Sequence, residues 1–96
     1  MIIETPYKVG DVVSIKLNNG EEIIARLDEE KSSKLKLSKP MALVATEGGV
    51  GFAPFMFTIT PDTKIEVSIN SIICVVKSAK DAADLYIQQT TGIQTA

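Results

Sequence analysis

The chain has 96 residues, ten Lys plus Arg against twelve Asp plus Glu for a net charge of -2, no His and one Cys. That length makes one domain, 1–96, with too little core for two. Without His the commonest general base and soft metal ligand are gone, a lone Cys74 forms no intramolecular disulfide, and the small acidic excess weighs against a surface devoted to phosphate contacts.

Met1 to Val9 shows no helical period and carries Pro6. Val13, Ile15 and Leu17 then alternate with Ser14 and Lys16, and Asn18-Asn19-Gly20 supplies residues that tolerate positive φ in a hairpin turn. Ile23, Ala25 and Leu27 continue the period of two, with Glu22, Ile24 and Arg26 on the other face. Asp28 to Ser33 contains no apolar residue and reads as a turn. Leu35 and Leu37, set between Lys34, Lys36 and Ser38, predict a third strand, kinked at Pro40 and resumed over Met41 to Ala45. Three short strands in a meander, each with one apolar face, bend readily into a small barrel.

Thr46 to Gly51 carries three glycines and reads as a flexible hairpin tip. A phosphate-cradling loop would need a following helix and usually a Lys, whereas Phe52-Ala53-Pro54-Phe55-Met56-Phe57 follows. A strand through this segment puts Phe55, Phe57 and Ile59 on one face, Met56 and Thr58 on the other. Aromatics can stack bases, but no cation is interleaved here, so burial in the core or a subunit interface is expected. Pro61-Asp62-Thr63 reads as a turn. Ile65, Val67 and Ile69 alternate with polar residues, Asn70-Ser71 turns the chain, and Ile72 to Val76 is apolar without alternation, as in a strand covered on both faces. Ser78 as cap, Asp81 in the first turn, and Ala79, Ala82, Ala83 and Tyr86 at spacings of three and four predict a docked helix over 78–91, stopped by Gly92, with Thr90 to Ala96 frayed.

The segments LNNGEE, IIARL and KLKL, with an acid at Asp28, together resemble the first sequence motif of the Sm-like proteins, the Sm, LSm and Hfq group. IEVSINSIICVV, from Ile65 to Val76, resembles the second. The likeness spans about two-thirds of the chain, rests on apolar spacing and turn placement, and is that of a divergent, phage-type member. It implies a mainly β fold: a strongly bent five-stranded antiparallel barrel over about 8–77, with the C-terminal helix outside it. It also implies a homo-oligomeric ring, in which the last strand pairs with the neighbour's fourth, and single-stranded RNA as partner. In that group the turn before strand three and the turn between the last two strands face the pore and hold a base with its phosphate. The matching positions here are Lys31, Ser32 and Lys34 in the first turn, and Asn70 and Ser71 in the second. The group's base-reading Asn and its basic later turn are absent, so weak base specificity is expected; a ring that serves as a structural or protein-interaction module is the alternative.

An apolar share of 45% is more than so small a domain hides alone, which points again to burial between subunits. No apolar run reaches the roughly 18 residues of a membrane span, and the start lacks a secretory signal pattern; with Cys74 in an apolar strand, a cytoplasmic setting is expected. Glu21 and Glu22 point to opposite pleat faces and Asp28, Glu29 and Glu30 sit together as a solvated tip, so no enzyme, metal or cofactor is implied.

Overall fold

The fold starts from one tight hairpin, β1 (Val12–Leu17) against β2 (Glu22–Glu30). The computed structural model describes residues 7–92. Leu17 N–H donates to Glu21 O at 2.8 Å and Gly20 N–H to Leu17 O at 2.9 Å, leaving a three-residue loop in which Gly20 sits at φ 94. A side chain at that left-handed position would be strained, so the glycine fixes the turn and with it the register Ile15↔Ile23 and Val13↔Ala25. A one-residue slip would turn these four side chains out of the core.

β3 (Lys34–Thr46) is the longest strand and serves three partners, β2 along one edge and two strands in succession along the other. It pairs with β2, but the register shifts twice, between Leu27 and Glu29 and between Ile24 and Arg26. At the second shift Lys39 takes φ 49 immediately before Pro40, so the expected kink is a bulge that accommodates the missing proline N–H. β4 (Gly49–Pro54) pairs with the second half of β3, from Thr46↔Gly49 to Met41↔Pro54. β5 (Ile65–Ser68) pairs with the first half, from Leu37↔Ile65 to Lys34↔Ser68. The expected fourth strand is thus present as two pieces, interrupted by residues 55–64, and this is why six strands stand where five were expected. A single 3-10 turn, Ile69–Ser71, leads to β6 (Ile72–Lys77), which returns to pair with β1. The order β4-β3-β2-β1-β6, with β5 beside β3, is a strongly bent antiparallel sheet.

Inside the bend lie Val13, Ile15, Leu17, Ile23, Ala25, Leu27, Leu35 and Leu37, with Ile65, Val67, Ile72 and Val75 packed against them. Each fully buried Leu or Ile contributes about 1.5–3 kcal/mol. The outer face carries a second cluster, where Val12 and Ile24 meet Tyr86 of α1 (Lys80–Gly92), flanked by Met41, Leu43, Phe52, Ala82 and Ala83. Of the four expected docking residues, Ala82, Ala83 and Tyr86 touch the sheet, whereas Ala79 precedes α1 and is exposed. Tyr86 is 2% exposed, and its hydroxyl donates to Ser38 O at 3.1 Å and Lys39 O at 2.7 Å, pinning the helix to the bulge.

Several expectations are corrected. Asp28, Glu29 and Glu30 belong to β2, because Glu29 and Glu30 find partners in Lys36 and Leu35 across the ladder; only the segment from Lys31 to Ser33 turns. Gly49 and Gly51 are strand residues opposite Thr46 and Val44, so the tip is confined to Glu47-Gly48. Phe55 to Ile59 is not a strand: the Phe55 N–H still reaches Pro40 O at 3.2 Å, the next rung after Met41↔Pro54, and the ladder ends there because Pro40 has no N–H to return. Ile69 falls in the 3-10 turn. Ser78 does not cap α1, since its hydroxyl meets that of Ser14 at 2.7 Å, and it is Ala79 whose carbonyl accepts the first helical bond, from Ala83. Thr90 and Thr91 are helical and donate back to Tyr86 O and Ile87 O. Within one protomer the last strand is covered on one face, which leaves Ile73 and Val76 exposed and any second cover to a neighbouring subunit. The remarks on Met1 to Pro6 and on residues 93–96 lie outside the described residues.

Candidate nucleic-acid interface

Three turns meet at one end of the barrel because the strands that carry them are hydrogen-bonded neighbours. Ile69 N–H donates to Ser33 O at 3.0 Å, which joins the turn before β3 to the 3-10 turn. Asn18, in the first hairpin, donates its backbone N–H to Ser71 O at 2.9 Å and its side-chain amide to Asn70 O at 2.6 Å. Ser68 closes the 3-10 turn from the other side by accepting the Asn70 N–H. Lys31, Ser32, Lys34, Asn70 and Ser71 are all exposed around this junction. The two turns that the sequence separates by more than thirty residues are thus in contact, and all five expected positions share one end of the molecule.

Beside the junction is a hollow of about 440 Å³ whose lining includes Asn18, Glu21, Glu66, Ser68 and Ser71, with Phe55 and Val67 on its apolar side. It offers amide and hydroxyl groups to a planar polar ligand, but no cation lines it.

The nearest cations are held at its edge by one of the lining carboxylates. Glu66, on β5, takes Lys31 Nζ at 2.6 Å on one carboxylate oxygen and has Lys34 Nζ at 3.8 Å from the other. The hydrogen bond from Lys31, reinforced by its charge, holds the Glu66 carboxyl below the usual carboxylate range, and the same bond raises the Lys31 ammonium. Both partners are exposed, so water and salt screen the pair and its contribution to stability is small. Asp28 is engaged similarly, with Lys64 Nζ 3.2 Å from both of its oxygens. The lysine face accordingly carries its own counter-charge. Glu66, Lys64 and Asn18 are neighbours of the candidate positions that sequence reasoning passed over. Asn18 was visible only as a turn former, and the Lys31–Glu66 pair joins residues far apart in the chain.

Among the described residues, no group of three His, Cys, Asp or Glu side chains is arranged to hold a metal, and no helix is long and apolar enough to cross a membrane.

No protein-family profile matches the chain, and no curated protein matches it. Solved structures do. A heptameric archaeal Sm protein, discussed in connection with the eukaryotic snRNP core, superposes with a TM-score of 0.52 at 17% identity, over 74% of this chain and 90% of that one. The SmAP1 heptamer from P. aerophilum gives the same TM-score and identity, over 74% of this chain and 82% of that one. The bent barrel described above is the Sm fold, reached at an identity too low to carry more than the fold.

Proposed function

We propose that this Sm-fold chain assembles head to tail into a homo-oligomeric ring, and that the ring holds single-stranded RNA at the turn junction with little base preference. One observation carries the reading: the Ile69–Ser33 hydrogen bond brings Lys31, Ser32 and Lys34 beside Asn70 and Ser71, five exposed polar positions from two remote segments. Ring formation is supported by the strand order, which leaves β6 and the β4/β5 pair each with one unpaired edge, and by the heptameric state of the structural neighbours. Pairing unlike edges is a heterologous contact, and such contacts close into rings when the rotation permits.

In the ring Lys31 and Lys34, repeated once per subunit, concentrate cations that the chain as a whole does not have in excess. A phosphate competes with Glu66 for them, while a base enters the adjacent hollow, where the Ser71 hydroxyl can donate or accept and the Asn18 amide is already engaged with Asn70 O. Binding of this kind is weak, steeply salt-dependent and similar for uridine-rich and adenosine-rich oligomers. The activity is one of binding, and the partly buried, unpaired Cys74 fits a reducing, cytoplasmic setting.

Fluorescence anisotropy with short RNA oligomers at low and moderate salt tests the reading. Lys31→Ala with Lys34→Ala is expected to abolish binding and leave the ring intact, while Glu66→Gln is expected to tighten it by releasing both lysines. Binding that survives the double substitution and moderate salt would refute the mechanism. The Lys31–Glu66 pair also favours a second reading, a ring that serves as a protein-interaction module. No RNA binding by either the wild type or Glu66→Gln would select it.

A further inference from the structure

The connection from Phe55 to Lys64 interrupts a strand that, in the ring reading, must receive a neighbour along its open edge. Prolines at 54 and 61 remove donors at each end, and the Phe55 N–H is spent on Pro40 O. The Phe55 N–H lies on the β3 side, as the next rung after Met41↔Pro54, and beyond it the connection leaves the ladder, so that its side chains are what stands out at this edge. Those side chains are apolar and displayed. Phe57 is 81% exposed, the most exposed large hydrophobic among the described residues, and Met56 is exposed beside it. With Pro40, Met41, Pro54 and Pro61 they line an apolar cleft of about 180 Å³.

A single exposed phenylalanine is ordinary; a matching apolar surface on the opposite edge is not. On β6, Lys16↔Cys74 and Leu17↔Ile72 are paired, so the bulge leaves Ile73 without a partner on β1, and Ile73 is 60% exposed, with Val76 also exposed. Neither Ile72 to Val76 nor Phe52 to Thr60 contains a charged residue. Ile73 and Val76 on one edge and Met56 and Phe57 on the other are thus uncharged side chains, while Lys39 also lines the cleft and Asp62, Lys64 and Glu66 follow along the connection and β5.

We infer that the connection around Met56 and Phe57 is a clasp for a second copy of this chain: β6 of one protomer lies along the β4/β5 edge of the next, and Phe57 closes over Ile73 and Val76 of that β6. This rests on the ring reading and specifies which side chains hold the ring together. It also assigns the split of the fourth strand a purpose that an uninterrupted strand would not serve.

The test compares the wild type, Phe57→Ser, Ile73→Ser and the double variant by native mass spectrometry and light scattering over a dilution series, with circular dichroism to confirm the protomer fold. Each single substitution is expected to raise the concentration at which half the assembly dissociates by about tenfold or more. The double variant is expected to lose less than the product of the two, because the residues share one contact. An assembled wild type with Phe57→Ser equally resistant to dilution, or with two strictly independent effects, would overturn the clasp and leave the ring standing. A monomeric wild type would overturn both. A Phe57→Ser ring that stays intact but loses RNA would assign the phenylalanine to base stacking and overturn the clasp as well.

Discussion

Replacing Tyr86 by Phe removes one oxygen from a buried ring and leaves its packing in place. The hydroxyl serves two carbonyls, Ser38 O and Lys39 O, both at the bulge where Lys39 is held at φ 49. Loss of a shared, partly buried hydrogen bond is expected to cost about 1–2 kcal/mol. In a domain this size each 1 kcal/mol lowers Tm by about 4–8 °C, so thermal unfolding at fixed protomer concentration resolves the effect. Burial pushes the phenol up to about 12, against a smaller opposing pull from Arg26, while an unfolded tyrosine ionises near 10.0. Below pH 10 both states are protonated and the contribution of Tyr86 is whole; as pH rises toward 12 the unfolded state releases its proton first, and that contribution is lost. Tyr7 is shifted in the same direction, through burial and then Glu30, so the difference between the wild type and Tyr86→Phe isolates the Tyr86 component. Equal denaturation midpoints at pH 7, or parallel curves between pH 9 and 12, would show that the hydroxyl does not hold the helix to the bulge.

Ile73→Asp is expected to prevent assembly without unfolding the protomer, whereas Val75→Asp, directed into the core beside Ile15, is expected to unfold it; light scattering paired with circular dichroism separates the two outcomes. Ala82→Gly is expected to lower stability by about 1 kcal/mol through backbone entropy, read from a urea midpoint at unchanged m. Truncation after Lys77 is expected to remove the helical circular dichroism signal and uncover Val12 and Ile24; an unchanged spectrum would remove α1 from the fold.

Local periodicity made the first three strands legible, because alternation with a glycine turn is a short-range signal that the β1–β2 pairing then obeys. It misled wherever pairing overrode composition. Asp28 to Glu30 has the residues of a turn, yet Lys36 and Leu35 across the ladder keep Glu29 and Glu30 extended. Phe55 to Ile59 has the residues of a strand and no strand to pair with. The Ser78 hydroxyl was expected at a helix cap and was claimed by Ser14, on a strand far back in the sequence. At the junction, the five candidate positions could be listed from the chain because their turns were visible. That Glu66 would neutralise the two lysines was not, since a glutamate on the polar face of an alternating strand has no distinguishing mark in sequence.

The β1–β6 pairing, which joins Val13 to Lys77 and, through the turns, Asn18 to Ser71, sets the order in which the chain acquires its structure. β1, β2 and β3 are linked by short turns and bring their partners together at little cost in chain entropy. β6 reaches β1 only after most of the barrel's length has been gathered in, and the entropy of that closure is met before the contact returns anything. The meander is therefore expected to be the folding nucleus and β6 the last strand to arrive. Truncating Ile23 is expected to slow folding and truncating Val75 chiefly to speed unfolding, and a φ-value series along the two strands tests the order. Until β6 docks, the nascent protomer exposes the β1 edge, so at high concentration assembly competes with folding for the same strand.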